Sequence, residues 1–309
     1  MTTLKIILLI LAVFCALLLI GGIAFCQISL SRRFRKGIIW KTRHRIYESQ
    51  DVEWFEAGKK VTSIESSRGL KQTGYLFEQE DSPYWIIVVH GYSSQARNMA
   101  NYIKGFYERG YNVLAPDLMG MGESEGEFVA MGGYDADDLM LWIEELNRQH
   151  KGIKIGLMGA SMGGATVMNT VGKKLPDNVE FFIEDSGYTN MLDEIRFQLK
   201  HIYHFNFPPL MYFASLVCKV RYGFFFGDVD ARAGLKKCSL PGLVLHGDAD
   251  DFVPPEFADE AFGLMNEPKE IRYFKDSRHI RAEHWFRDDY WQTVTDFLKK
   301  YSSLYKEQE

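Results

Sequence analysis

The chain has 309 residues, 46% of them hydrophobic and 25% charged, with a formal net charge of −5. That is ample apolar material for one large α/β domain or two small ones, and the acidic balance, without basic-aromatic interleaving, excludes nucleic acid as the expected partner. Cys15, Cys26, Cys218 and Cys238 form no CxxC and no disulfide framework, which fits a reducing compartment.

From the N-terminus, Ile6 to Cys26 is an apolar run interrupted only by Gly21-Gly22 and long enough to cross a bilayer. A cleaved signal peptide would have a shorter apolar core, a more basic start than the single Lys5 and a small-x-small cleavage site. Residues 1–30 are therefore expected to be an uncleaved transmembrane anchor that stands outside the fold. Arg32, Arg33, Arg35, Lys36, Lys41, Arg43 and Arg45 follow it, so the positive-inside rule places the rest of the chain in the cytoplasm at a cell membrane. The same charges would attract anionic headgroups on either face. Residues 31–58 read as a basic juxtamembrane linker and a first helix carrying Trp54 and Phe55.

Residues 59–305 alternate strand and helix signals. Lys60 to Ser66 and Leu70 to Glu78 alternate apolar and polar residues across Ser67-Arg68-Gly69, a hairpin pattern. Tyr84 to Val89 is a buried strand running into His90-Gly91-Tyr92. A helix ended by Gly110 follows, then the strand Tyr111 to Ala115, a Gly-rich loop to Gly126, and an amphipathic helix over Asp135 to His150 with acids in its first turn. Strands at Ile155 to Met158, Phe181 to Asp185, Gly242 to His246 and Glu270 to Phe274 complete the series before a closing helix from Asp288 to Tyr301. The pattern predicts a mostly parallel, eight-stranded, doubly wound sheet led in by two antiparallel strands. Residues 187–239 carry no strand signal, are rich in aromatics and are split by Pro208-Pro209. They read as a helical cap over the carboxyl ends of the strands, where open α/β sheets bind ligands. Phe197, Tyr203 and Phe213 are its candidate substrate-binding residues, and a domain-swapped or partner-binding insertion is the other reading. His201 and His204 lack carboxylate or cysteine company, so no metal site is expected there.

The chemistry centres on Gly159-Ala160-Ser161-Met162-Gly163, a G-x-S-x-G pentapeptide between a strand and a helix-compatible run from Ala165. Such a serine sits in a sharp, strained turn that needs small flanking residues. A serine hydroxyl needs a base to take its proton, and the base needs an acceptor to hold its tautomer. Asp250 follows the strand ending at His246, and His279 follows the last strand. Ser161, Asp250 and His279 thus fall after strand ends in a chain order known for one hydrolase fold.

Together, HGYSS at 90–94, PDLMGMGESEG at 116–126, GASMGG at 159–164, HGDADDFVP at 246–254 and the histidine loop before YWQTVTDFL at 290–298 resemble the α/β-hydrolase superfamily. The resemblance covers about residues 60–301 and is strongest to bacterial membrane-anchored hydrolases related to serine aminopeptidases and feruloyl-type esterases. It implies an α/β-hydrolase fold, Ser161 as nucleophile, His279 as base and Asp250 as orienting acid, with an oxyanion hole from the backbone N–H groups of Tyr92 and Met162. Asp248 and Asp251 then read as solvated or loop-capping carboxylates. His284 is the competitor of His279, while His90 and His246 read as rings that support loops. Two positions depart from the family pattern: Met119 stands where an arginine is usual, and Ala282 where a small hydroxyl residue is common. The first is expected to alter loop packing. An elbow aspartate would be needed for a haloalkane dehalogenase or epoxide hydrolase, and Ser161 argues against both.

The expected function is therefore a serine hydrolase that cleaves a carboxylic ester or thioester through an acyl-enzyme and requires no metal or organic cofactor. Its expected partners are a small-molecule acyl substrate and the membrane, with no obligate protein partner evident. A serine peptidase on small peptides is the alternative, favoured if Arg196, Arg221 or Glu194 forms a binding pair in the cap. Each of these three otherwise reads as an exposed helix charge. A membrane-tethered binding protein on a hydrolase fold is the second alternative.

Overall fold

An unbroken apolar strand must bury both faces. In the computed structural model, which describes residues 3–32, 51–80, 82–202, 204 and 207–306, the run Tyr84–Val89 does so as β3. Ile86 and Val88 face a cluster with Phe55, Ile103, Phe106 and Val294, whereas Trp85, Ile87 and Val89 face one with Trp142, Val167 and Ala258. Around it lie β1 (Lys60–Glu65), β2 (Lys71–Phe77), β4 (Asn112–Pro116), β5 (Lys154–Ala160), β6 (Val179–Asp185), β7 (Gly242–Gly247) and β8 (Lys269–Phe274). The sheet order is β1-β2-β4-β3-β5-β6-β7-β8. Only β2 runs against the rest: it is antiparallel to both β1 and β4, and every later pairing is parallel. The two lead-in strands are thus the expected antiparallel pair, and β2 is the reversed one.

Helices α1 (Thr3–Ser29), α2 (Val52–Gly58), α3 (Ala100–Tyr107), α4 (Tyr134–Gln149), α5 (Met162–Val171), α6 (Met191–Phe197), α7 (Pro208–Tyr222), α8 (Arg232–Leu235), α9 (Glu256–Leu264), α10 (Ala282–Trp285), α11 (Arg287–Tyr301) and α12 (Ser303–Lys306) complete the chain. Helices α2, α3 and α11 cover one face of the sheet, and α4, α5 and α9 the other. Segment 187–239 forms α6, which runs on as a π-helical turn over Gln198–Ile202, then α7 and α8. Among the described residues its strand character is one bridge, Asn190 to Asp230. Most of the expected basic linker lies outside the described residues.

Helix α1 departs from expectation. It was expected to stand outside the fold, yet its last turns pack into it. Leu18, Gly22 and Cys26, spaced four apart on one helix face, are buried. A Cβ on Gly22 would stand 3.0 Å from the backbone of Phe213 and Ala214, so the missing side chain lets α1 and α7 approach closely. The Cys26 thiol donates to the Ala214 carbonyl at 3.2 Å. The other faces, from Leu4 to Ile23, remain exposed and apolar. A uniformly apolar run carries no mark that separates a lipid-facing side chain from a protein-facing one.

Candidate active site

The local sequence sets the turn at Ser161. Its φ of 56° and ψ of −121° are strained for a residue with a side chain, and the surrounding glycines admit the strand and helix that impose them. A Cβ on Gly159 would lie 2.1 Å from the Gly163 carbonyl oxygen, and one on Gly163 would lie 2.1 Å from that of Val89. The Ser161 N–H donates to the Asp185 carbonyl at 2.7 Å, which fastens the turn to the end of β6.

Three strand ends bring Ser161, His279 and Asp250 into one row. His279 Nε2 lies 2.9 Å from Ser161 Oγ, and His279 Nδ1 lies 2.7 Å from Asp250 Oδ2. Asp250 Oδ1 accepts from the backbone N–H groups of Phe252 at 2.9 Å and Val253 at 3.0 Å. Burial works to raise the Asp250 pKa, but the charge of His279 and hydrogen bonds from His246 and His279 outweigh it and hold the carboxyl well below the usual range. An ionised acceptor fixes a proton on Nδ1 and leaves Nε2 free to accept from the serine. Asp248 is exposed and accepts from the Asp276 N–H at 2.6 Å, and Asp251 is exposed. His284 is exposed on α10.

The loop carrying Tyr92 meets Ser161 directly. A Cβ on Gly91 would be 3.1 Å from the Cβ of Ser161. His90 donates from Nδ1 to the Gly91 carbonyl at 2.8 Å and accepts the Leu118 N–H on Nε2 at 3.0 Å, tying this turn to the loop after β4. Met162 is the first residue of α5, where backbone N–H groups have no partner within the helix. The two N–H groups of Tyr92 and Met162 therefore lie on segments that flank Ser161 from two sides. Met119 is buried in the loop after β4, and an arginine does reach that loop from elsewhere: Arg32 donates to the carbonyls of Ser124 at 2.5 Å and Gly122 at 3.0 Å.

The cap residues separate. Phe197 is half-buried and stacks on His201 with ring centroids 4.5 Å apart. Phe213 sits on α7 where that helix meets α1, and Tyr203 lies outside the described residues. Arg196 is exposed and paired with Asp193 at 3.1 Å, and Arg221 is exposed. Glu194 departs from its reading as an exposed charge: it is only 3% exposed, because α6 turns this face onto the strand ends. Its Oε1 accepts from Gln198, whose amide also donates to the Phe252 carbonyl at 2.6 Å. Burial, reinforced by the negative charge of Asp250, pushes the Glu194 pKa up to about 8.

Several residues around the site were not singled out by the sequence. Phe252 lies with its ring 4.9 Å from that of His279. Glu184 is buried beneath the elbow helix, accepts the Gly187 N–H at 2.8 Å, and is raised to about 7 by burial. Asp185 accepts hydroxyls from Tyr102 and Tyr290 at 3.0 Å each and from Ser186 at 2.9 Å. The available signal was the pair itself, since two acids closing an apolar strand at the carboxyl edge must be satisfied or neutral. His246 donates from Nε2 to the Val253 carbonyl at 2.9 Å and lies 3.4 Å from Asp250 Oδ2, so its ring does support the loop.

Residues 82–190 match the model of the family described as "Serine aminopeptidase, S33". Over 258 residues the chain is 29% identical to the uncharacterized protein YqkD of Bacillus subtilis, covering 82% of this chain and 83% of that one. It is 25% identical over 229 residues to the thermostable monoacylglycerol lipase of Bacillus sp. strain H-257, covering 66% of this chain and 86% of the lipase. The Pyrococcus furiosus esterase Pf2001 superposes with a TM-score of 0.67 at 20% identity, over 84% of this chain and 97% of that one. The Exiguobacterium antarcticum esterase EaEST gives 0.56 at 18% identity, over 77% and 99%. These solved structures share the fold of the chain.

Proposed function

We propose that this member of the α/β-hydrolase superfamily is a serine hydrolase that cleaves a carboxylic ester or thioester while held at a membrane by α1. The observation that carries this reading is the row Ser161 Oγ, His279, Asp250, with spacings of 2.9 and 2.7 Å and a strained serine at its head. In the proposed mechanism His279 Nε2 takes the Ser161 proton as Oγ attacks the acyl carbon. The oxyanion that forms is met by the N–H groups of Tyr92 and Met162, aimed before the charge develops. His279 then gives its proton to the departing alcohol or thiol, leaving an acyl group on Ser161. Water, activated by the same ring, releases the acid. The domain boundaries carry the same division of labour: 1–30 tethers, 31–58 links, 59–305 performs the chemistry, and cap aromatics such as Phe197 face the acyl group.

The second reading, a peptidase on small peptides, is favoured by the family description matched over 82–190. Glu194 weighs against it. A carboxyl pushed up to about 8 is a neutral acid at pH 7 and offers no charge to a peptide ammonium. The deciding experiment labels the full chain in detergent with a fluorophosphonate, comparing wild type, Ser161→Ala and His279→Ala, and then compares p-nitrophenyl esters with aminoacyl anilides. Labelling lost in both variants, with turnover of esters only, is expected. An unlabelled, folded wild type would return the chain to the binding-protein reading.

A further inference from the structure

We propose that Ser29–Arg32, the foot of the N-terminal helix, is a positioning element of the candidate active site, holding the main chain that carries the Tyr92 oxyanion donor. This rests on the serine hydrolase reading and extends it. Two routes run from the foot to the turn at Gly91-Tyr92. The first is direct. Ser29 ends α1, so its carbonyl has no partner within the helix, and the Tyr92 hydroxyl donates to it at 2.5 Å.

The second route passes through the loop after β4. Arg32 grips that loop by the Gly122 and Ser124 carbonyls. The loop in turn donates the Leu118 N–H to His90, whose other ring nitrogen holds the Gly91 carbonyl. The foot is itself pinned, since the Arg32 N–H donates to the Glu127 carbonyl at 2.8 Å and the Val129 N–H donates to that of Leu30 at 2.9 Å. Leu30 and Ser31 are buried there.

These restraints bear on chemistry because the turn has no slack against the nucleophile. Gly91 already stands so close that a Cβ would lie 3.1 Å from that of Ser161. An oxyanion donor works only when aimed at the position the developing charge will occupy. Tethers to Ser29 and Arg32 therefore select the orientation of the Tyr92 N–H, and α1 serves as a part of the site in addition to its anchoring role. The Arg32 clamp also gives the Met119 loop a cation from another element.

The test uses the full chain in nanodiscs, with Tyr92→Phe to remove only the hydroxyl, and Arg32→Met beside Arg32→Lys. Kinetics on a p-nitrophenyl ester are paired with the affinity for an alkyl boronic acid, which forms a tetrahedral adduct on an activated serine. Deleting an oxyanion donor outright costs about 10²–10³ in kcat, so a loosened one is expected to cost about tenfold. The expected result for Tyr92→Phe is a kcat lowered about tenfold, KM within twofold, and boronate affinity falling in step with kcat. Arg32→Met should behave alike, with Arg32→Lys restoring part of the loss. Unchanged kcat and boronate affinity in Tyr92→Phe and Arg32→Met would overturn the proposal, as would losses that follow only the melting temperature. Ser161→Ala run in parallel separates the two readings: turnover retained there would end the serine hydrolase reading itself.

Discussion

Replacing Asp250 by asparagine should abolish most turnover through a single proton placed on the wrong nitrogen. Asp250 Oδ1 accepts two backbone N–H groups, at 2.9 and 3.0 Å. Only the amide oxygen of an asparagine can serve them, so its NH2 must occupy the Oδ2 position. There it faces His279 Nδ1, 2.7 Å away in the wild-type site. An amide donor at that place makes Nδ1 an acceptor and puts the ring proton on Nε2, pointed at Ser161 Oγ. A ring so protonated cannot take the hydroxyl proton. A wrong tautomer of this kind costs about 10⁴ in kcat, or roughly 5 kcal/mol in the barrier. The same NH2 lies near His246 Nε2, 3.4 Å from Oδ2 and already a donor to Val253. Two facing donors in a buried site should cost about 1–3 kcal/mol of stability, seen as a melting temperature lowered by several degrees. The assay is kcat for a p-nitrophenyl ester with detergent-solubilised chain, with Asp248→Asn as the exposed control. A kcat within tenfold of wild type for Asp250→Asn, or an equal loss in Asp248→Asn, would refute the reasoning.

Two further outcomes follow, one from burial and one from exposure. Glu194, raised from 4.5 to about 8, is held as a neutral acid. The unfolded chain releases this proton near its ordinary pKa while the folded chain keeps it, so the stabilisation is complete below pH 4.5 and is lost as pH rises through 8. The difference amounts to about 5 kcal/mol at most. Melting curves at pH 5.5 and 9 should show Glu194→Gln losing less stability across this window than wild type, and parallel curves would refute the assignment. For the anchor, α1 keeps an apolar surface from Leu4 to Ile23 on a helix of 27 residues, about 40 Å long. The chain is expected to stay in the membrane pellet after alkaline carbonate extraction, and its release into the supernatant would contradict a spanning helix.

Most of the sheet was legible because its strands are written in two-faced apolar runs, and the candidate row Ser161, His279 and Asp250 because each follows one of those runs within a motif that carries the family resemblance. A strand such as Tyr84–Val89 can satisfy its composition only by burial on both sides, and glycines at 159 and 163 leave room for one sharp turn and nothing larger. The elbow, the parallel order and the placement of Ser161, Asp250 and His279 at strand ends were thus local properties, readable in short windows. Tertiary structure decided what depends on distance through space. Glu194 looked like an exposed helix charge until α6 laid it against the strand ends, and burial is a property of neighbours that a helix repeat cannot number. Met119 marked a missing arginine, while the cation that meets that loop, Arg32, came from a segment read as a linker. The apolar N-terminal run announced a bilayer, yet hydropathy is the same for a methyl group in lipid and one in a protein core. Only the folded chain shows that Gly22 and Cys26 lie against α7 and that Ser29 holds Tyr92.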